Sequence, residues 1–208
     1  MLTDEQKGKL IRTRDGIQIH EVMNTVDKIE DMITPFKDFL NALGEDSNRD
    51  GLKETPYRFA KAMMEYTKGY DEDPSKHLEK TFDVDHKEMV VVKDIQFNSL
   101  CEHHLAPFYG VVHVGYIPGN YITGLSKIAR MVDGYAKRLQ VQERLTTQIV
   151  TQMYRKLNAQ GAMVVVEGNH YCMCGRGAMK TESSTITSAV RGAFEKSEVR
   201  NEFMNLIK

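Results

Sequence analysis

The chain has 208 residues, with 28 Lys and Arg against 29 Asp and Glu and a formal net charge of -1. That length suits one substantial core with a helical extension and is too short for two full-sized domains. The balanced charge gives no overall field for nucleic acid or an anionic membrane, so any anionic ligand has to be met by local Lys and Arg.

The start, Met1-Leu2-Thr3-Asp4-Glu5-Gln6-Lys7, lacks the apolar core of a signal peptide, and no apolar run reaches the length of a bilayer crossing, which predicts a cytoplasmic protein. Three cysteines are an odd number. In a chain without a secretory mark they point to a metal or to chemistry rather than to a disulfide framework. The twelve methionines read as core filler.

Residues 1 to 20 are polar and weakly periodic, predicting a loosely ordered arm. Val22, Val26, Ile29 and Ile33 follow at steps of four and three, the apolar stripe of a helix. Thr34-Pro35 then reads as a break and restart, with a second helix carrying Phe36, Phe39, Leu40 and Leu43 inward until Gly44. Glu45 to Gly51 is a polar turn whose acidic spacing does not fit a calcium loop. Thr55-Pro56 opens another helix with Phe59, Met63 and Tyr66 on one face and Gly69 as its stop. The N-terminal arm and helices thus take residues 1–85, and the functional domain takes 86–208.

From Met89 the residues are β-formers: Val90, Val91, Val92, Ile95 and Phe97 predict a strand that runs into Cys101-Glu102-His103-His104. Cys101 and His104 have the short spacing that lets one tight turn aim a thiolate and an imidazole at a single ion, and zinc suits that mixture better than Mg2+ or Ca2+. Phe108 to Ile117 is a second strand, closed by Pro118-Gly119-Asn120. Two helices follow. Ser126 is a candidate cap for the first, whose apolar face is Ile128, Met131, Val132, Tyr135 and Leu139; the second runs from about Val141 to Leu157. Lys127 and Arg130 beside that first helix start form a candidate anion site, and Gln142-Glu143 at the next start can read the donor edge of a base such as guanine.

Met163 to Val166 resumes the strands and runs into His170-Tyr171-Cys172-Met173-Cys174, where an extended backbone turns His170, Cys172 and Cys174 to one side. Cys101, His104 and Cys172 alone leave a tetrahedral position open, as a catalytic zinc requires; adding Cys174 closes the site and makes it structural. The spare imidazoles of His103 and His170 favour the open form, since hydrolysis needs proton carriers. Arg176, between Gly175 and Gly177, is a further cation. A last strand over about Ser184–Phe194 precedes a helix from Ser197 that buries Val199, Phe203 and Leu206. The order predicts an α+β fold, a four-stranded antiparallel sheet with two helices on one face.

These segments together resemble the GTP cyclohydrolase I family. The resemblance rests on Ser99 to His104, Tyr116-Ile117-Pro118, Gly124 to Ile128, Val141 to Leu145, His170-Tyr171-Cys172, Arg176-Gly177 and Thr187-Ser188, and it spans about residue 35 to the C-terminus. It implies a tunnelling fold (T-fold) whose sheets join into a barrel, assembled as a homodecamer of two pentamers with active sites at subunit boundaries. It also implies hydrolysis of GTP to formate and 7,8-dihydroneopterin triphosphate, the first step towards folate or other pterins. By resemblance Cys101, His104 and Cys172 hold Zn2+ and His103 and His170 handle protons. Ser126, Lys127, Arg130 and Arg176 contact triphosphate and ribose, with Ser126 a possible helper at the sugar, and Gln142 and Glu143 read guanine. Leu139 stands where the family often has proline, and Cys174 has no family role. Two competing readings are a zinc-stabilised nucleotide-binding protein without turnover and an enzyme of the same fold acting on another pterin or deazapurine.

Overall fold

The computed structural model describes residues 19–208, with side chains from Thr25 onward, so the predicted arm lies almost wholly outside the described residues, as does the side chain of Val22. The chain divides into two compact units, with the boundary in sequence between Glu65 and Tyr66.

In the first unit, α1 (Ile19–Ala42) is one helix that runs through Pro35 instead of restarting there. Proline removes one donor and crowds the preceding turn, but the apolar stripe continues on both sides of it. Ile29, Ile33 and Ala60 are buried, with Val26, Met32, Tyr57 and Met64 packed around them. The uninterrupted helix keeps Ile33 and Leu40, seven residues apart, on one side and turns Phe39 and Leu43 roughly 80 to 120° away from it. Those two side chains, expected inside, are accordingly 53% and 64% exposed. Phe36 does pack inward, stacked on Phe59 of α2 (Thr55–Tyr66) at 3.8 Å between ring centres. Gly44 ends α1 with φ of 87°, a conformation that costs glycine little.

The second unit is built on a five-stranded sheet in the order β5-β2-β3-β6-β7. β2 (Val90–Cys101), β3 (Pro107–Ile117), β6 (Gly161–His170) and β7 (Thr185–Gly192) are the four antiparallel strands expected. The fifth was not expected: β5 (Leu139–Gln140) adds in parallel beside Leu100 and Cys101, making the sheet mixed. Leu139 therefore leaves the apolar face of the preceding helix. Its N–H donates to Tyr70 Oη, and Arg138 is fastened to the carbonyls of Gly69 and Glu72, so the chain straightens into the sheet edge. A separate two-stranded ribbon pairs β1 (Thr81–Asp83) with β4 (Tyr121–Thr123).

Helices α3 (Leu125–Ala136) and α4 (Gln142–Lys156) cover one face of the sheet. Ile128, Met131, Val132, Leu145, Ile149 and Met153 meet Phe97, Phe108, Val112, Val114 and Val164 in one core. The other face carries a smaller cluster, in which Phe194 and Phe203 close over Met163 and Val165. Phe203 belongs to the C-terminal helix α6 (Ser197–Leu206); Leu206, expected inside, is 50% exposed, and Ile207 packs in its place.

Three local expectations change. Ser126 is the second residue of α3, whose cap is Gly124, so its hydroxyl faces solvent and makes no cap bond. Gly69 lies beyond the end of α2, in a short 3-10 turn; its N–H donates to Lys137 O and a Cβ there would run into Gly134 O, so close backbone approach is what this glycine permits. Finally, β6 stops at His170. The next four residues form a single helical turn, α5 (Tyr171–Cys174), closed by a 2.8 Å bond from Gly175 N to Tyr171 O, so His170, Cys172 and Cys174 do not share a strand face. Among the described residues no helix is long and apolar enough to cross a membrane.

Candidate metal centre and active site

The site forms where β2 and β6 both end and α4 begins. β2 turns back on itself after Cys101, whose N–H donates to Ala106 O at 2.8 Å, while Leu105 N reaches Cys101 O at 2.9 Å. Leu105 takes a left-handed φ of 50° to make that turn, an uncommon state for leucine. The antiparallel pairing of β3 with β6 then sets His170 beside Phe108, at the same end of the sheet as Cys101. The helical turn after His170 carries Cys172 over the end of β2.

The outcome is a cluster of Cys101, His104 and Cys172 whose donor atoms all lie within 4.8 Å of one another. Cys101 Sγ is 3.8 Å from His104 Nδ1. Tetrahedral zinc, with bonds of about 2.3 Å to sulfur and about 2.0 Å to nitrogen, needs such donors about 3.5 to 3.8 Å apart. The fit is direct. Burial, and next the neighbouring Cys101 sulfur, push the Cys172 thiol up, as expected for two sulfurs crowded together without a cation between them. Cys174 is not in the cluster; its sulfur lies 3.9 Å from Thr181 O.

A cavity of about 230 Å3 opens onto this cluster, lined by His103, Gln142, Glu143 and His170 among others. Glu143 is exposed in the first turn of α4, and among the described residues its carboxylate is the one acidic side chain lining the cavity. His103 is well exposed, with Nδ1 3.9 Å from Cys101 Sγ. His170 is half-buried against Phe108, the two rings stacked at 4.6 Å and 5°. Burial holds its pKa below the ordinary imidazole range, and the Glu143 charge works against that. Gln142 is 2% exposed, and its amide nitrogen lies within bonding distance of Val166 O, Thr185 O and Thr187 Oγ1.

Ser126, Lys127, Arg130 and Arg176 are not part of this cavity's lining. The topology explains the first three. α3 starts just after β4, beyond the Ile117 end of β3, and its far end delivers β5 to Cys101. Its twelve residues span about 18 Å. Arg176 is exposed in the loop after α5.

Three contributors were missing from the sequence reading. Gln140 and Thr185 line the cavity, and Glu102 forms a two-pronged ion pair with Arg144 at 2.6 and 2.9 Å that ties the metal turn to the first turn of α4. That pair holds the Glu102 carboxyl below the usual carboxylate range. Charges 42 positions apart carry no periodic signal, so only the fold brings them together.

Comparison with known proteins agrees with this geometry. A profile of the family described as GTP cyclohydrolase I matches residues 32–208. The chain is 57% identical over 169 residues to GTP cyclohydrolase 1 of Porphyromonas gingivalis, covering 81% of this chain and 88% of that one. Against the enzyme of the same name from Bacteroides fragilis it is 53% identical over 181 residues, 86% of this chain and 93% of that one. The yeast Saccharomyces cerevisiae protein, also GTP cyclohydrolase 1, is 49% identical over 183 residues, 87% of this chain and 75% of its own length. The chain belongs to the GTP cyclohydrolase I family.

Proposed function

We propose that the chain hydrolyses GTP to formate and 7,8-dihydroneopterin triphosphate, with zinc held by Cys101, His104 and Cys172, in a homodecamer whose active sites lie between subunits. The observation that carries this reading is the three-donor cluster opening onto a cavity that also holds Glu143, His103 and His170. Two thiolates and an imidazole suit zinc, and three protein donors leave a tetrahedral position for water. Cys174, engaged elsewhere, does not favour the closed structural alternative.

Bound there, zinc supplies Lewis acidity that brings a water's pKa towards neutrality. The chain's own groups do the rest. Glu143 accepts from the adjacent N–H donors of the guanine edge, orienting the imidazole ring of the purine towards the metal cluster. His170 and His103 carry protons to and from that ring as it opens and loses formate.

Two features support a site completed by a second copy. The cavity, about 230 Å3, is below the 300 to 1,000 Å3 of typical ligand pockets and suits a base rather than a whole nucleoside triphosphate. The cations expected at the triphosphate, Lys127 and Arg130, lie on α3 and outside this cavity's lining, so a neighbour's α3 is the natural source, with Ser126 beside them, while Arg176 is exposed in the loop just past α5. Among the described residues the eight-residue edge strand β7 pairs only with β6, leaving an edge on which sheets of neighbouring subunits can join into the T-fold barrel. Three unpaired cysteines suit the reducing cytoplasm, where the product would feed folate or other pterin synthesis. The test is incubation with GTP: formate and a fluorescent oxidised neopterin should both appear, and GTP left intact by zinc-loaded protein overturns the reading.

A further inference from the structure

Gln142 lies at the cavity, yet its side chain is turned into the protein. Its Nε2 is 3.0 Å from Val166 O, 2.9 Å from Thr185 O and 3.2 Å from Thr187 Oγ1. Two of these are carbonyl oxygens that can only accept, so the amide cannot be reversed without setting oxygen against oxygen. The neighbouring hydroxyls are fixed in the same way. Thr146 Oγ1 donates to Gln142 O at 2.7 Å, which uses its single hydrogen. In the 2.7 Å contact between the Thr146 and Thr187 hydroxyls, Thr187 is therefore the donor, and it is free to accept from Gln142.

The remaining atom, Gln142 Oε1, is an acceptor only, and it lies 2.8 Å from His170 Nε2. That nitrogen must carry the hydrogen. Two further features protect the arrangement. Phe108 stacks under the imidazole and sets its plane. Gly168 leaves room for the bond, since a Cβ there would collide with Gln142 Oε1 and come within 3.6 Å of His170 Nε2.

We infer that Gln142 is a positioning residue for His170: by holding the proton on Nε2, it makes Nδ1 the nitrogen through which this imidazole exchanges protons with the substrate. The inference rests on the proposed proton-handling role of His170 and adds which atom performs it. A histidine's working nitrogen is set by the hydrogen bond its other nitrogen makes, so a buried amide locked by three acceptors is a means of fixing the tautomer.

The test is neutron diffraction from crystals of the zinc-loaded protein exchanged into D2O at pD 8. Deuterium on His170 Nε2, directed at Gln142 Oε1, with a bare Nδ1 is the expected result; deuterium on Nδ1 with a bare Nε2 overturns the inference. The kinetic companion is Gln142→Met, which removes the acceptor at similar length. It should keep its zinc and lose at least tenfold in kcat with KM for GTP changed less than threefold. A raised KM with kcat intact would make Gln142 a direct substrate contact and overturn the positioning role. The neutron map needs no turnover, so a wild-type protein that releases no formate would count against the proposed reaction while leaving the proton assignment to be decided on its own.

Discussion

The substitution Gly168→Ala sets two opposed effects against each other at one atom. In a strand interior, glycine to alanine ordinarily gains about 0.5 to 1 kcal/mol by restricting the unfolded chain. Here the added methyl would lie well inside van der Waals contact with Gln142 Oε1 and 3.3 Å from Gln142 Cδ. The Gln142 amide must retreat, and its bonds to Val166 O, Thr185 O and His170 Nε2 go with it. At about 1 kcal/mol net for each such bond, the loss is about 3 kcal/mol and outweighs the gain, leaving a net destabilisation of about 2 kcal/mol. For a domain of this size that lowers Tm by about 4 to 8 °C. The assay is a circular-dichroism melt of zinc-saturated protein, run beside formate release from GTP, which should fall at least tenfold because His170 loses its tether. An unchanged or raised Tm together with undiminished formate release would refute the claim that this glycine makes room for a locked amide.

Metal removal should abolish formate release, with zinc restoring it and Mg2+ failing to do so; turnover by protein shown by elemental analysis to be metal-free would contradict the assignment. Glu102→Gln breaks the two-pronged pair with Arg144, and its effect on Tm should depend on pH in a defined direction. Because the folded carboxyl titrates below its ordinary value of 4.5, the pair stabilises fully above that value and fades as pH falls through the folded pKa. The Tm difference between wild type and variant should therefore stay constant from pH 7 to pH 5 and shrink only below about 4.5; a difference that vanishes already by pH 6 would mean the pair is not what ties the turn to α4. Mixed oligomers test the shared site: Lys127→Ala and Glu143→Ala chains, each inactive alone, should recover about one quarter of wild-type turnover when co-assembled one to one, since about one site in four then draws both intact residues from two neighbours. No recovery in verified mixed assemblies would place both residues in a single chain's site.

Much of the fold follows from periodicity that survives packing. The alternation from Phe108 to Ile117 and the unbroken apolar run Met163 to Val166 specify the two central strands, and the stripe from Ile128 to Tyr135 specifies the helix that covers them. What the pattern could not carry is anything set by a distant partner. β5 is two residues long and exists because Leu100 and Cys101 offer it an open edge. α1 continues through Pro35 because Ile29, Ile33 and Leu40 remain buried on both sides of that residue, a tertiary gain that outweighs one lost donor. Phe39, Leu43 and Leu206 were misplaced for related reasons, since an apolar residue one step off the buried stripe looks the same in sequence as one on it.

The metal cluster was legible because its chemistry is strict: few arrangements other than a metal site use a thiolate and imidazole on a tight turn together with a thiolate from another segment. The strand proposed for His170 to Cys174 was nevertheless wrong, and the correct geometry has a consequence. On a strand, Cys172 and Cys174 would have faced the donor cluster together, and all four donors could have closed it. In a helical turn, residues two apart point about 200° from each other, so Cys172 can face the cluster only if Cys174 does not. The local change from strand to helix after His170 is therefore what keeps Cys174 out of the donor cluster, as the proposed open site requires, and the same change ends β6 at the point where His170 can reach back to Gln142.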